Sequence, residues 1–254
     1  MKFSVIIPSF QQGKYIKQTI DSILSQERND TSIEVIVIDG GSTDETIEIL
    51  KSYGDKIYWI SEKDNGQTHA INKGLKIATG EIFSYLNSDD FYFPHTLKKV
   101  EKFFLNHPSA FCVTGDAIIV DENGKEIQGL VRKYKGFLRN LNIPFLLYIT
   151  NYIVQPSTFW KREVLTEIGF FNENKRYTMD YDYWLKIIKK YKIYNIKDPL
   201  SAFRIHKSSK GGSQYKKQFE EDYITLKENC NSRILRFFHL IHNFLIKFVY
   251  SFIK

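Results

Sequence analysis

Asn87-Ser88-Asp89-Asp90 follows an apolar run, Ile82 to Leu86, that reads as a buried strand. Two adjacent carboxylates at a strand end repel each other and are costly to desolvate. Oxygen ligands of this kind suit a hard cation. Mg²⁺ or Mn²⁺ taking one carboxylate and the diphosphate of a nucleotide fits the pattern. Asp and Asn also favour turns, so a solvated strand-end turn is the competing account of this stretch alone. Other apolar runs end the same way: Pro8-Ser9, Asp39, then Glu62 and Asp64. Four strand ends delivering polar or acidic groups to one edge point to a ligand site.

Those ends need a particular scaffold. Phe3 to Ile7 reads as a strand closed by Pro8, and Tyr15 to Gln26 has helical spacing. Glu34 to Ile38 is a β-branched strand, Glu45 to Tyr53 a helix and Ile57 to Ser61 a third strand. Thr68 to Thr79 is helical up to Gly80, and Ile82 to Leu86 is the fourth strand. Apolar strands alternating with helices predict an α/β fold with a mostly parallel sheet covered on both faces. In such sheets ligands bind outside the carboxyl ends of the strands. Ser42 and Glu45 form a capping-box pattern, and Asp44 reads as a helix cap. The first loop, Ser9 to Lys14, is neither GxGxxG nor GxxxxGK[ST], which counts against a dinucleotide dehydrogenase or a P-loop NTPase. Beyond the aspartates, Leu97 to Asn106, Val164 to Ile168 and Asp182 to Tyr191 read as helices. Ala110 to Val113 and Ala117 to Val120 look like two strands, and Lys133 to Tyr148 reads as partly helical. Lys207 to Gly212 reads as a mobile loop able to close over a donor.

Five runs, in order, carry a resemblance. They are Ser4 to Phe10, Val35 to Asp44, Asp64 to Gly74, Ala78 to Glu81 and Leu86 to Asp90, with Met179 to Leu185 further on. Together they resemble family 2 glycosyltransferases of the GT-A fold over roughly residues 3–206. The resemblance implies that Asp39 contacts the base or ribose of a UDP-sugar and that Pro8 lines the same pocket. It implies that Asp64 helps hold the nucleoside and that Asn72 braces the pocket; the plainer reading of Asn72 is a helix residue bonding a nearby loop. The family's DxD motif falls on Asn87-Ser88-Asp89. Asp89 is then the metal ligand, with Asp90 beside it, while Asn87 replaces the acid that would contact ribose. The catalytic base aligns on Met179-Asp180, which gives Asp180 that role and leaves Asp182 as the alternative. Both aspartates also have a local reading as N-terminal caps of their helix. Arg204 is expected on the diphosphate, and His206 on the diphosphate or in the metal shell; a lone histidine is as readily structural. Gln155-Pro156-Ser157 and Trp160 are placed on the acceptor side, although Trp160 reads more simply as core.

The bulk properties agree. Net charge is +7, which favours an anionic partner such as a nucleotide or a phospholipid surface. No basic motif of recognised nucleic-acid geometry appears. Two cysteines without ligand spacing fit a reducing compartment. The apolar N-terminal run is too short for a signal peptide, and no run is long enough to cross a membrane. In the tail from Ser232, polar residues fall at Arg236, His239, Asn243, Lys247, Ser251 and Lys254, one narrow stripe on a helix that is otherwise apolar. A basic amphipathic helix of this sort suits a membrane interface, each basic residue adding about 1 kcal/mol on an anionic leaflet; packing on the catalytic domain or on a partner is the other use. The expected organisation is a GT-A domain over 1–215, with a donor half at 1–106 and an acceptor half at 107–215, and a helical tail over 216–254. The expected activity is metal-dependent, inverting hexosyl transfer from a UDP-sugar to a glycan or lipid-linked acceptor for a cell-surface polysaccharide. Its place is the cytoplasmic side, peripheral on the inner membrane face. A nucleotidyltransferase and a non-catalytic sugar-nucleotide-binding protein are the alternatives.

Overall fold

The structure, a computed structural model, describes residues 1–27, 31–206, 209 and 215–253. Most of the Lys207 to Gly212 loop lies outside the described residues. The chain opens with β1 (Lys2–Ser9), α1 (Gly13–Leu24), β2 (Ser32–Asp39), α2 (Thr46–Ser52), β3 (Tyr58–Ser61), α3 (Gln67–Ile77) and β4 (Ile82–Tyr85). There follow β5 (Phe91–Tyr92), α4 (Thr96–Asn106), β6 (Cys112–Val120), α5 (Gly129–Leu141), β7 (Thr158–Lys161), α6 (Arg162–Ile168), α7 (Met179–Ile187) and β8 (Ile193–Arg204). The chain ends in α8 (Tyr215–Asn229) and α9 (Arg233–Ile253).

All eight strands join one sheet in the order β3-β2-β1-β4-β7-β6-β8-β5. The first four are mutually parallel, β7 is antiparallel to β4 and β6, and β5 is antiparallel to β8. The period of two in β1 divides the core. Val5 and Ile7 face α1 residues Ile16 and Ile20, while Ile6 faces Ile71 and Leu75 of α3. The second core layer is aromatic: Trp160, Phe171, Tyr183 and Trp184 pack edge to face or stacked. Trp160 is fully buried there, so its place is in the core.

Two local expectations change. Residues 112–120 form one strand where the sequence suggested two, because a bulge between Thr114 and Ala117 carries the chain past the interruption. Gly115 permits this: a side chain there would collide with Leu200 of β8. At α2 no capping box forms, since Ser42 is drawn off to Asp39.

The seat of α3 on β1 rests on Gly74. A Cβ at that position would lie 2.6 Å from Cγ2 of the fully buried Ile6. Gly74→Val should cost about 1–3 kcal/mol, the usual penalty of overpacking, read as a lower urea midpoint. An unchanged midpoint would show that α3 is free to move off the sheet.

Candidate active site

The parallel strands bring their carboxyl ends to one edge in register, with Ser9 beside Asp39 and Asp39 beside Ser61. Asp39 is fully buried. Its carboxylate accepts from the Gly41 and Ser42 amides at 3.1 and 2.8 Å, and from the Ser42 and Ser61 hydroxyls at 2.6 and 2.7 Å. Four donors offset the desolvation of the charge and fix the 40–43 turn. Ser42 Oγ also accepts the Gln11 amide at 2.7 Å, tying the first loop to the second. Asp44 accepts the Gly13 and Thr46 amides at 3.0 and 3.1 Å, so it caps the starts of α1 and α2. Ser9 Oγ is buried at the end of β1 with no hydrogen-bond partner among the described residues. Pro8 precedes it in the same buried strand.

Asp64 lies over Gly40, its Oδ2 only 3.0 Å from where a Cβ at Gly40 would be. Its Oδ1 accepts the Gly66 amide at 2.7 Å, which holds the turn into α3. Asn72, on the buried side of α3, donates to Phe171 O and Glu173 Oε1, both at 2.9 Å, and accepts the Phe171 amide at 3.0 Å. It braces the segment leading to α7.

The two aspartates after β4 part company. Asp90 is fully buried and accepts the Arg204 amide at 2.8 Å and Asn87 Nδ2 at 3.0 Å. Burial, then the neighbouring Asp89 charge, hold its carboxyl well above the usual range, against those two hydrogen bonds. Asp89 turns outward, with Oδ2 2.9 Å from His206 Nε2. The backbone between them is pinned: Thr19 Oγ1 donates to Ser88 O at 2.9 Å and to Asp90 O at 2.7 Å. Ser88 itself is buried. Arg204 donates to Asp89 O at 2.9 Å, Glu122 O at 3.0 Å and Gln18 Oε1 at 2.6 Å, and lies over the Tyr15 ring. Arg204 was expected on a diphosphate; its donors instead hold the Asp89 loop. Asp90 was expected as a ligand; both of its oxygens are engaged by the protein.

Asp180 and Asp182 lie in the first turn of α7. Asp182 is buried, paired with Lys186 Nζ at 2.6 Å and accepting Asn229 Nδ2 at 2.8 Å. It joins α7 to α8 and does not share the surroundings of Asp180. The Asp180 carboxyl is raised by burial, opposed by the Tyr181 amide, the Lys135 charge and Asn151. Tyr85, at the end of β4, has its phenol pushed up by burial and further by the charges of Asp180 and Asp90, and Asn151 Nδ2 lies 3.5 Å from Asp180 Oδ2. Gln155 joins this strand end to Asn87, donating to Tyr85 O at 2.7 Å and accepting Asn87 Nδ2 at 3.2 Å. Lys135, Asn151 and Gln67 were not anticipated: Lys135 and Asn151 come from distant segments without a local motif, and Gln67, inside the Asp64 to Gly74 run, had been given no role.

A model of "Glycosyl transferase family 2" matches residues 4–169. The chain belongs to that family. An uncharacterized glycosyltransferase of Rickettsia felis is 32% identical over 222 residues, covering 86% of this chain and 36% of the relative. The chain thus spans about a third of the length of this relative. Two solved structures share the GT-A fold. S. aureus TarS 1-349 in complex with UDP-GlcNAc matches with a TM-score of 0.71 and 21% identity, over 93% of this chain and 69% of that one. The mannosyltransferase PcManGT of Pyrobaculum calidifontis, in complex with GDP-Man and Mn²⁺, matches with a TM-score of 0.72 and 19% identity, over 94% and 68%.

The departure from the family pattern at Asn87 has a physical reason. Its amide donates to Asp90 while its Oδ1 accepts Gln67 Nε2 at 2.7 Å. A carboxylate here would face the buried Asp90 carboxylate at hydrogen-bond distance. Asn87→Asp should cost about 1–3 kcal/mol at neutral pH, the price of a buried group left without its donor. The loss should shrink on acidification, because protonating either acid restores a donor and relieves the repulsion. Urea unfolding across pH checks this; a stability difference that does not vary with pH would refute the account.

Proposed function

We propose that this chain is a metal-dependent, inverting glycosyltransferase that moves a hexosyl group from a UDP-sugar to a glycan or lipid-linked acceptor. Cell-surface polysaccharide synthesis, on the inner membrane face, is the setting we assign to it. Residues 1–106 would bind the donor, 107–215 the acceptor, and 216–254 would attach the protein to the membrane. The observation that carries the proposal is the division of labour among the carboxylates. Asp89 faces His206 at the sheet edge, and Asp180, whose charge reaches Tyr85 at the end of β4, has a raised pKa.

The donor's uridine is assigned to the pocket formed by Pro8, the unpartnered Ser9 hydroxyl, the Asp39 turn and Asp64. Asp89 and His206 would hold Mn²⁺ or Mg²⁺. Among the described residues no three acidic, histidine or cysteine side chains form a cluster that would hold an ion by themselves. One carboxylate and one imidazole suit an ion that takes its remaining ligands from diphosphate and water. When bound, such an ion neutralises the charge on a departing diphosphate. Asp90 and Arg204 support this arrangement from beneath.

Inversion is a direct displacement. The acceptor hydroxyl attacks the anomeric carbon as the bond to diphosphate breaks, and a base takes the hydroxyl proton. We assign that proton to Asp180. Burial raises its affinity for a proton, which brings the base nearer to the operating pH, while Lys135 keeps part of the charged form. Asp182, engaged with Lys186 and Asn229, is assigned a structural part.

Calorimetry with UDP should show binding that requires Mn²⁺ and disappears in Asp89→Ala; binding indifferent to metal and to Asp89 would remove the donor-site assignment. Asp180→Asn should lower turnover by about 10² to 10⁴ while leaving UDP binding intact, the expected worth of a positioned base. Equal turnover in Asp180→Asn would favour the non-catalytic reading. Because the ionised carboxylate is the active form, kcat should fall as pH drops through a pKa above the ordinary 3.8 of aspartate. A kcat flat down to that value would remove Asp180 from the reaction.

A further inference from the structure

Two helices of this protein are inside out. In α9 the middle of the polar stripe faces inward: the fully buried His239 contacts Asp222 of α8 at 2.9 Å, and the buried Asn243 donates to the same carboxylate at 3.0 Å. Arg236 donates to Cys230 O at 2.7 Å and Lys227 O at 3.0 Å, closing the end of α8. The outward face is apolar, with Phe237 60%, Phe244 69% and Phe248 56% exposed. Helix α5 repeats the arrangement. Its Arg132 and Arg139 both pair with Asp116 of β6, Arg132 at 2.8 Å, and Arg139 donates to Tyr152 O at 3.3 Å, next to Asn151, whose Nδ2 lies 3.5 Å from Asp180 Oδ2. Leu130, Tyr134, Phe137 and Leu141, spaced four, three and four apart, are exposed, Leu130 at 82% and Phe137 at 61%.

The two apolar stripes meet. Tyr134 OH lies 2.9 Å from His242 Nε2, with the rings 6.1 Å apart and 15° from parallel. His242 borders the outward face of α9, between Ile241 and Leu245. An apolar face built from two segments a hundred residues apart is not an accident of one helix. A row of exposed large apolar side chains that continues from one helix to the next marks an interaction site.

Charge says what covers it. No acidic residue occurs between Glu126 and Glu163, the stretch that contains α5, and none follows Glu228, the stretch that contains α9. Exposed Lys133, Arg233 and Lys247 lie within these two stretches. A second copy docking on its own two-fold would set this acid-free surface against itself. A bilayer with anionic headgroups meets both needs, taking the apolar side chains below the headgroups and the basic ones among them. Among the described residues no helix is long and apolar enough to cross a membrane, so the contact is with one leaflet. We propose that α5 and α9 form a single face that docks on an anionic bilayer, and that α5 thereby brings Asp180 to the leaflet that supplies a lipid-linked acceptor. This rests on the peripheral-membrane reading above and adds α5 and the joined face to it.

The test is sedimentation of the full chain with phosphatidylcholine vesicles, with and without phosphatidylglycerol, at low and raised salt. The wild type should sediment with the anionic vesicles and less so as salt screens the basic residues. The pairs Leu130→Glu/Phe137→Glu and Phe237→Glu/Phe244→Glu should each lower partitioning by about tenfold or more, as two large side chains leave the lipid. Circular dichroism and UDP affinity should match wild type. If a pair fails to fold, Lys133→Glu/Arg233→Glu replaces it, with the same loss expected on anionic vesicles. A wild type that ignores every vesicle would overturn both the docking face and membrane attachment, while leaving the sugar transfer untouched. Loss with the α9 pair but none with the α5 pair would leave attachment standing and overturn the joined face. A dimer dissolved by both pairs, without vesicle binding, would assign the face to a second copy.

Discussion

A buried carboxylate organises this molecule. Asp90 is withdrawn from water beside a second negative charge, Asp89, and each of its neighbours answers that cost. The end of β8 gives it a backbone amide, Asn87 gives it a side-chain amide, and Thr19 of α1 ties its own carbonyl. A buried charge deprived of one partner loses several kcal/mol, so these ties are mutually enforcing. They also decide where Asp89 can point. With Asp90 committed inward and Arg204 holding the Asp89 carbonyl, the Asp89 side chain is left to the surface and to His206. β8, the last strand but one in the sheet order, is thereby fastened to the loop that follows β4.

Helices α5 and α9 follow a different rule: Arg139, His239 and Asn243 go inward, and a row of large apolar side chains goes outward. Asp116 collects two arginines from α5, and Asp222 collects His239 and Asn243 from α9. Inward ion pairs contribute little net stability compared with apolar packing, so this inversion is poorly explained by stability. On the docking face proposed above, the outward side chains would meet a second apolar medium, and the helices would satisfy two surroundings at once.

What the sequence made legible follows from which physics is local. Four continuous apolar runs with polar ends were enough to set the parallel strands and the edge they share. The short β5 and β7, two and four residues long, carry too little periodicity to be seen. The Ser42-Glu45 pattern was legible and misleading, because a buried carboxylate four-fold in need of donors outcompetes a helix cap. Asp180 and Asp182 could not be ranked on type, yet two residues along a helix are about 200° apart, so only one can face the site. The stripe in α9 was plain from spacing, but periodicity identifies faces without saying which one meets the protein. That choice is made by Asp222, a residue on another helix.

Helices α5 and α8 both act on Asp180. After burial, the groups that set its proton affinity include Lys135, which lowers it, and Asp222, which raises it. Lys135 belongs to α5, and Asp222 to α8, where it is the residue that holds α9. Asp180 therefore takes its electrostatic environment from the same packing that turns both apolar stripes outward. A change that moves α5 away removes the positive Lys135 and raises the Asp180 pKa, whereas one that moves α8 away removes the negative Asp222 and lowers it. Asp180 and the outward apolar stripes of α5 and α9 are thus coupled through one set of inward polar contacts.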